Sequence, residues 1–256
     1  MKARLTVLGS GTSMGVPTIG CECAVCHSSD PHDRRTRPSI LVEFADKVII
    51  IDTTPDFRQQ AIREGIRQLD AVFYTHAHAD HILGLDDLRP LSYPPRPKIL
   101  LYAQPGTAEI LRRTFKYMFD GNYKFGGLAQ VDLRLIDGPV DCFGVRFEPV
   151  KVMHGDAPIT GYRFGQAAYL TDFSEIPEES FAQLQDLDIL FLDALRHTPH
   201  PTHSTVESSL RIVDRLKPKR AFFTHIAHEL PHETTNATLP PHVRLSYDGM
   251  RLEFEI

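Results

Sequence analysis

The chain has 256 residues, of which 42% are hydrophobic and 24% are charged. This is the composition of an ordinary globular protein, and we predict one domain over residues 1–256. The formal net charge of −5 gives no overall attraction for nucleic acid or an anionic membrane, so neither is an expected partner. The sequence shows no secretory signal and no apolar run of transmembrane length, which favours a cytoplasmic protein.

Predicted strands and helices alternate along the chain. Strands are predicted at 5–8, 40–44, 48–51, 71–74, 99–102, 131–135, 145–150, 160–164, 168–170, 189–192, 221–224, 243–247 and 250–256. Helices are predicted at 55–67, 107–118, 177–185 and 204–216, the last with a capping box at 204–207, and surface loops at 90–97 and 115–125. Asp248-Gly249 predicts a hairpin turn. This mixture predicts an α/β protein with two sheets.

A dense cluster of potential metal ligands follows the strand predicted at 71–74. The segment His76-Ala77-His78-Ala79-Asp80-His81 places three imidazoles and one carboxylate within six residues. Histidines rarely cluster in a core, and carboxylates are seldom buried unless they are paired or bind metal. Imidazole and carboxylate together suit borderline divalent ions such as zinc or manganese. Because successive side chains of an extended segment point in different directions, this segment can supply two neighbouring ions.

Three further potential ligands stand where an apolar run ends. His154 follows the run that begins at 145, Asp172 follows the run at 168–170, and His225 follows the run at 221–224. Ligands of open α/β sheets collect at the carboxyl ends of strands. We therefore expect these side chains to meet the histidine cluster in one metal site.

A second cluster of potential ligands lies near the N-terminus. Cys21, Cys23 and Cys26 place three thiols within six residues. In a reducing compartment, zinc ligation by thiolates explains this spacing better than disulfides do. A closed tetrahedral site needs a fourth ligand, for which His27, His32 and His228 are candidates.

The order His76-x-His78-x-Asp80-His81, then His154, Asp172 and His225, resembles the metallo-β-lactamase-fold hydrolases. The resemblance spans essentially the whole chain. It implies a four-layer αββα sandwich of two mixed β-sheets, with two divalent ions, manganese or zinc, in a cleft between the sheet edges. It assigns His76, His78 and His154 to the first ion, and Asp80, His81 and His225 to the second. Asp172 would bridge both ions, and Asp80 would also orient the nucleophile.

A bridging carboxylate at Asp172 narrows the reaction class. β-Lactamases of this fold lack such a residue, and some of them use a cysteine as a ligand of the second ion. The one isolated cysteine here, Cys142, is expected to pack as a small hydrophobe rather than bind metal. Asp172 resembles instead the phosphodiesterase, ribonuclease Z and glyoxalase II branches. Together with the three cysteines and with residues 84–89, it makes the resemblance closest to the PhnP family of phosphodiesterases, which act in phosphonate breakdown.

The PhnP resemblance implies hydrolysis of a small cyclic phosphodiester, 5-phosphoribosyl 1,2-cyclic phosphate, to ribose 1,5-bisphosphate by a metal-dependent phosphoric diester hydrolase. It selects His228 as the fourth ligand of a structural zinc, His203 as a catalytic residue, and a homodimer as the assembly. From the sequence alone, Arg196, His197 and His200 remain alternatives to His203. A tRNA-processing nuclease, a thioester hydrolase and a non-catalytic protein like PqqB remain alternative functions.

Two further carboxylates end apolar runs. Asp52 follows the run at 48–51, and Asp193 follows the run at 189–192. A buried carboxylate commonly accepts a hydrogen bond from the second ring nitrogen of a metal-bound histidine. Both residues are therefore candidates for orienting the ligands, although each is equally suited to cap a helix or a turn.

Overall fold

A computed structural model describes residues 1–122 and 126–256, and these residues form two mixed β-sheets of seven strands each. The first sheet contains, in spatial order, β14 (Arg251–Glu255), β1 (Lys2–Gly9), β2 (Ser39–Phe44), β3 (Lys47–Ile51), β4 (Ala71–Phe73), β5 (Ile99–Ala103) and β6 (Val131–Leu135). The second contains β13 (Val243–Leu245), β12 (Arg220–Thr224), β11 (Ile189–Asp193), β10 (Ala167–Leu170), β9 (Ala157–Phe164), β8 (Val145–His154) and β7 (Val140–Cys142). Two mixed sheets confirm the predicted fold class.

Each sheet has an antiparallel part and a parallel part. Strands β3 to β6 are parallel in the first sheet, and strands β10 to β13 are parallel in the second. Parallel strands are covered on both faces, which requires continuous apolar sequence. Ile189–Asp193 satisfies this requirement, since every residue of β11 is buried. The parallel arrangement brings the carboxyl ends of several strands to one edge of each sheet.

Helices connect the strands and cover the sheets. They are α1 (Phe57–Glu64), α2 (Ala79–Ile82), α3 (Arg89–Ser92), α4 (Pro105–Thr114), α5 (Lys116–Phe119), α6 (Val206–Leu216) and α7 (His232–Thr238), with 3₁₀ helices at Pro31–Asp33, Leu83–Leu88 and Glu178–Leu184. Within the described ranges, no helix combines the length and apolarity needed to cross a bilayer.

The apolar side chains form three main layers of packing. Phe73 of the first sheet and Phe147 of the second stack with ring centroids 4.4 Å apart, inside the core between the sheets. On the outer face of the first sheet, Leu111 of α4 is buried, and on the outer face of the second, Val213 of α6 is buried. The order is therefore helix, sheet, sheet, helix, as predicted.

The structure corrects several predicted helices. The helix predicted at 55–67 is shorter, because Gly65 adopts a left-handed conformation (φ 68°) and ends α1. The one predicted at 107–118 is two helices divided at Phe115, whose φ of −107° and ψ of 39° are not helical. The one predicted at 177–185 is a 3₁₀ helix. Helix α7 and strand β7 were not predicted, since the polar α7 sequence lacks apolar periodicity.

The predicted surface loops and the predicted capping box also differ from the structure. The loop predicted at 90–97 begins inside α3, and the loop predicted at 115–125 contains α5, while residues 123–125 lie outside the described residues. Ser204 does not cap α6, because its hydroxyl lies 2.8 Å from that of Ser209 in the interior. Thr205 is the cap instead, accepting a hydrogen bond from the backbone N–H of Ser208.

Asp248 was predicted to form a hairpin turn, and this prediction is wrong. The strands on either side of it, β13 and β14, belong to different sheets, so the chain crosses between sheets here. The buried carboxylate of Asp248 accepts hydrogen bonds from the backbone and side chain of Ser10 and of Thr36. It thereby ties the crossing to two N-terminal segments.

Replacing Asp248 with alanine should destabilise the fold. The substitution Asp248→Ala removes the acceptor of the N–H groups of buried Ser10 and half-buried Thr36, and we expect a loss of about 3 kcal/mol in the free energy of unfolding. Urea denaturation followed by circular dichroism measures this loss. The control Asp137→Ala removes an exposed carboxylate and should change stability by less than about 0.5 kcal/mol. Equal effects of the two substitutions would contradict the structural role of Asp248.

Candidate metal centre

The potential metal ligands lie where strands of the two sheets end. The His76–His81 segment follows β4 of the first sheet. From the second sheet, His154 ends β8, Asp172 lies two residues after β10, and His225 directly follows β12. Because β8 is antiparallel to β9 and β9 is antiparallel to β10, the carboxyl end of β8 lies at the same edge as that of β10. The site therefore forms between two sheets.

The carboxylate of Asp172 lies at the centre of this group. Its Oδ2 atom is 3.2 Å from Nε2 of His81, 3.1 Å from Nε2 of His225 and 3.9 Å from Nε2 of His76. The Oδ2 atom of Asp80 is 3.2 Å from His81 Nε2 and 3.8 Å from His225 Nε2. Four of the predicted ligands, Asp80, His81, Asp172 and His225, form a group close enough to hold one ion.

The other predicted ligands form an adjacent trio of imidazoles. The ring centroid of His78 is 4.6 Å from that of His76 and 5.0 Å from that of His154. The rings of His76 and His154 are 5.7 Å apart. The ring of His76 is also 4.2 Å from that of His81, so the trio is continuous with the group around Asp172. The structure thus brings all seven predicted donors together.

Several of these donor atoms are buried without a hydrogen-bond partner among the described residues. They are Nε2 of His76, His81 and His225 and Oδ2 of Asp80. Leaving a buried polar atom unpaired costs about 1–3 kcal/mol, and native structures rarely accept that cost several times in one place. Divalent ions satisfy such atoms as ligands, so the donor set fits the metal binding that the fold implies.

The backbone is strained where the sheets supply these groups. Asp52, Asp172 and His225 have φ values of 66°, 57° and 57°, in the left-handed region that side chains other than glycine rarely adopt. Such conformations cost about 1–3 kcal/mol and concentrate at functional sites. Here each one lies within two residues of the end of a strand, where Asp172 and His225 join the ligand group and Asp52 contacts His81 from behind.

The buried charges shift the pKa values of the ligands in opposite directions. Burial alone would raise the pKa of Asp172, but His225 and His81 outweigh it and hold that pKa well below its ordinary value. Burial alone would lower the pKa of His225, yet the carboxylate of Asp172 raises it to about 10. In the metal-free chain, imidazolium protons therefore supply the positive charge that the carboxylates demand. A divalent ion supplies the same charge and replaces those protons.

A second layer of hydrogen bonds orients the ligands. The carboxylate of Asp52 lies 2.7 Å from Nδ1 of His81 and accepts bonds from the N–H and hydroxyl of Thr75. Nδ1 of His154 donates to the backbone carbonyl of Asp172. Each contact leaves Nε2 of the imidazole as the ligand atom. The sequence identified Asp52 but not Thr75, whose position between a strand and His76 is its only signal.

His203, the predicted catalytic histidine, borders the same cleft. Its Nδ1 atom is 2.8 Å from the carboxylate of Asp193, and its ring stacks on His225 with centroids 4.6 Å apart. Burial lowers the pKa of His203 to about 4. The alternative His197 is exposed and pairs with Glu207, 2.6 Å away. The structure therefore places His203, rather than His197, beside the ligands.

The remaining alternatives for this region lie farther from the ligands or are already paired. The ring of His200 is 5.0 Å from that of His203, with its Nδ1 atom near Thr202. Arg196 forms an ion pair with Glu229.

A cavity of about 690 Å³ opens beside the imidazole trio. His76, His78 and His154 line one side of it. The first turn of α4, at Pro105 and Gly106, and the side chain of Lys151 also line it. These residues were not predicted from the sequence. Pro105 and Gly106 nevertheless follow the carboxyl end of β5, and residues at the carboxyl ends of strands are where the ligands were predicted. The cavity is large enough for a small phosphorylated molecule.

The three N-terminal cysteines meet a single histidine. Nδ1 of His228 lies 3.1 Å from the sulfur of Cys21, 3.3 Å from that of Cys23 and 3.5 Å from that of Cys26. These four donors lie within 4.8 Å of one another.

The other two candidate histidines have different partners. Nε2 of His27 pairs with Glu22, 3.1 Å away, and Nδ1 of His32 pairs with Asp30, also 3.1 Å away. Neither belongs to the cysteine cluster. Cys142, predicted to pack as a small hydrophobe, is buried in the core between the sheets.

Known proteins resemble the chain in sequence and in structure. The family described as "Beta-lactamase superfamily domain" matches residues 47–226. A crystal structure described as a new diphosphatase from the PhnP family is 58% identical, covers 99% of this chain and 98% of its own, and superimposes with a TM-score of 0.94.

Two curated relatives match less of their own length. A protein of Porphyromonas gingivalis named octanoyltransferase is 40% identical over 252 residues, which is 96% of this chain and 51% of that protein. A ribonuclease Z of Bradyrhizobium diazoefficiens is 30% identical over 151 residues, 55% of this chain and 48% of that protein. The chain thus spans about half the length of these curated relatives.

Removing the carboxylate beside His81 should weaken metal binding. The substitution Asp52→Asn keeps the size of the side chain but removes the charge that orients His81. We expect divalent-ion affinity to fall about 10- to 100-fold, as measured by isothermal titration calorimetry with manganese. The control Asp137→Asn, at an exposed position, should bind manganese like the unmodified protein. Unchanged affinity in Asp52→Asn would show that the contact does not serve the metal centre.

Proposed function

This chain belongs to the beta-lactamase superfamily, and from that membership we propose that it is a dinuclear-metal phosphodiesterase. Its substrate in this proposal is a small cyclic phosphodiester, 5-phosphoribosyl 1,2-cyclic phosphate, which it hydrolyses to ribose 1,5-bisphosphate. The observation that carries the proposal is the convergence of seven nitrogen and oxygen donor residues, with Asp172 among them, at the junction of two sheets. The similarity to a diphosphatase from the PhnP family supports it.

The donors divide naturally between two ions. His76, His78 and His154 would hold the first, Asp80, His81 and His225 would hold the second, and Asp172 would contact both. When bound, such ions supply Lewis acidity and activate water for attack on phosphorus. The mixed imidazole and carboxylate set suits manganese or zinc.

The chain's own residues position the reactants and move the proton. In this mechanism Asp80 orients the attacking water, which releases one proton to solvent and forms a bond to phosphorus as the bond to the leaving sugar oxygen breaks. His203 donates a proton from Nε2 to that oxygen and regains one from solvent after turnover, while its Nδ1–H remains hydrogen-bonded to Asp193. Although burial lowers the pKa of free His203 to about 4, an anionic phosphate beside the ring raises it again.

The cavity beside the trio of imidazoles favours a small substrate. Lys151, which carries a positive charge, and the first turn of α4, whose N-terminus carries a partial positive charge, line this cavity. Both would attract a second phosphate group on the substrate. A phosphorylated sugar therefore fits this cavity better than a neutral thioester, which is the kind of substrate that the glyoxalase II branch hydrolyses. β-Lactam hydrolysis is disfavoured, because Cys142 lies in the core rather than in the second ion's position.

A diphosphate ester is the second candidate substrate. The 58% identical structure is described as a diphosphatase, and hydrolysis of a phosphoanhydride uses the same attack on phosphorus. The difference lies in the leaving group, since a phosphate leaves without needing a proton from His203.

Ribonuclease Z activity is a further candidate, because 151 residues of this chain match a ribonuclease Z in sequence. Against it stands the net charge of −5, since binding tRNA relies on positive charge. Steeply salt-dependent binding of precursor tRNA would favour this candidate. A non-catalytic role like that of PqqB is disfavoured, because all seven residues proposed as ligands are present in the sequence and lie close together.

We also propose that Cys21, Cys23, Cys26 and His228 hold a structural zinc. Three thiolates and one imidazole form a standard tetrahedral zinc set. His228 lies three residues after His225, so the zinc would connect the N-terminal loop to the segment that supplies a ligand of the second ion. A homodimer remains a prediction from the resemblance alone.

Substrate assays with two variants test the proposed activity. Protein reconstituted with manganese or zinc should hydrolyse 5-phosphoribosyl 1,2-cyclic phosphate with a higher kcat/KM than 2′,3′-cyclic nucleotides, a dinucleoside diphosphate, precursor tRNA or an acyl thiol. Asp80→Ala should abolish turnover and reduce metal content. His203→Ala should lower kcat at least about 100-fold with metal content unchanged.

The matched control is His197→Ala, which removes an exposed neighbouring imidazole and should keep most of the activity. If His203→Ala lowers kcat on the cyclic ester but not on the diphosphate ester, its role as proton donor is supported. Absence of turnover of every phosphate ester, with two ions bound, would overturn the proposed function.

A further inference from the structure

A second group of potential ligands lies outside the metal centre and outside the cysteine cluster. It joins the 3₁₀ helix Pro31–Asp33 to the start of α7. One ligand atom each from His32, His232 and Glu233 lies within 4.8 Å of the others. The rings of the two histidines have centroids 4.6 Å apart. None of these residues takes part in the proposed reaction.

His232 carries an unused nitrogen in a buried position. The residue is 6% exposed, and its Nδ1 atom has no hydrogen-bond partner among the described residues. Burial, reinforced by His32 and Arg35, lowers the pKa of His232 to about 4. The imidazole is therefore neutral near pH 7, with a lone pair available, and a buried nitrogen of this kind normally has a partner.

His32 is oriented as metal-binding histidines are. Its Nδ1 atom lies 3.1 Å from the carboxylate of Asp30, and the same carboxylate accepts the backbone N–H of His32. A carboxylate on one ring nitrogen fixes the other, Nε2, as a lone-pair donor. Asp30 therefore prepares His32 to bind a cation.

We propose that His32, His232 and Glu233 form an additional zinc site, distinct from the dinuclear centre and from the cysteine cluster. Two imidazoles and one carboxylate are a common zinc set with a fourth position open to water. Glu233 is exposed, so this site exchanges its ion with solvent more readily than a closed cysteine site. Asp30, Asp33 and Glu233 contribute negative charge around it, against the guanidinium of Arg35.

Aromatic packing alone explains only part of this arrangement. The ring of His32 also lies 4.3 Å from that of Tyr247, and the three rings form a cluster of tilted and edge-on contacts. Ring packing accounts for the proximity of the rings, but it requires neither an unpaired Nδ1 on His232 nor the carboxylate of Glu233. Zinc binding accounts for both.

The position of the site gives it a structural consequence. Arg35 donates hydrogen bonds to the carbonyls of Ala227 and Leu230, and Asp33 accepts one from the N–H of His232. These bonds join the N-terminal loop to the segment 227–232, which follows His225. A zinc ion on His32 and His232 adds a further link between the same segments and should stabilise them.

Zinc titration of the holoprotein tests this proposal without measuring activity. The dinuclear centre and the cysteine cluster are first loaded with metal, and excess metal is removed. The protein is then dialysed against increasing concentrations of zinc chloride, and bound zinc is measured by atomic emission. The unmodified protein should bind one further equivalent. His232→Phe keeps an aromatic ring in the cluster with His32 and Tyr247 and should lose that equivalent, and Glu233→Gln should weaken its binding at least about tenfold. Asp30→Asn, whose amide oxygen can still accept the His32 N–H, should also weaken it about tenfold.

The control His27→Phe changes an exposed histidine of the same loop and should bind the further equivalent like the unmodified protein. If no further equivalent binds, or if His232→Phe and Glu233→Gln both bind it unchanged, the additional site is disproved. Because Glu233 is exposed, Glu233→Gln remains informative even if His232→Phe does not fold. Loss of the dinuclear ions in any of these variants would be measured separately, so failure of this site is distinguishable from failure of the proposed function.

Discussion

The carboxylates of Asp80 and Asp172 are buried beside one another, and two negative charges can share a water-excluded site only when positive charge lies between them. In the metal-free chain that charge comes from His81 and His225, whose pKa values are raised above their ordinary value. Divalent ions supply it more fully, because each brings two charges and accepts several ligands at once. The requirement explains why so many buried donor atoms near these carboxylates lack other partners.

Neither sheet can build this site alone. The first sheet contributes the segment after β4 together with Asp52, whereas the second contributes His154, Asp172 and His225 from the ends of β8, β10 and β12. The distances around Asp172 therefore depend on how the two sheets pack through the aromatic core that Phe73 and Phe147 share. The strained backbone at three strand ends is stable because this packing holds it in place. Stability of the core and geometry of the site are consequently linked.

The alternation of strand and helix patterns predicted the two-sheet fold. The convergence of His154, Asp172 and His225 followed from a separate rule, that ligands collect at the carboxyl ends of strands. The sequence was less informative where a residue's partner is distant in the chain. Spacing alone left His27 and His32 as alternatives to His228, which lies more than 200 positions from the cysteines. The buried role of Asp248 was missed for the same reason, since an Asp-Gly pair has the same local preference in a hairpin and in a crossing between sheets. Helix α7 was missed because it is short and polar.

Anomalous diffraction from crystals of the metal-reconstituted protein, recorded at the manganese and zinc absorption edges, tests the central claim most directly. The account predicts two peaks about 3.5–4 Å apart, both within ligand distance of Asp172, one beside His154 and the other beside His225. It also predicts a zinc peak among the three N-terminal cysteines. A single ion at the sheet junction, or a pair of ions that Asp172 does not contact, would contradict it.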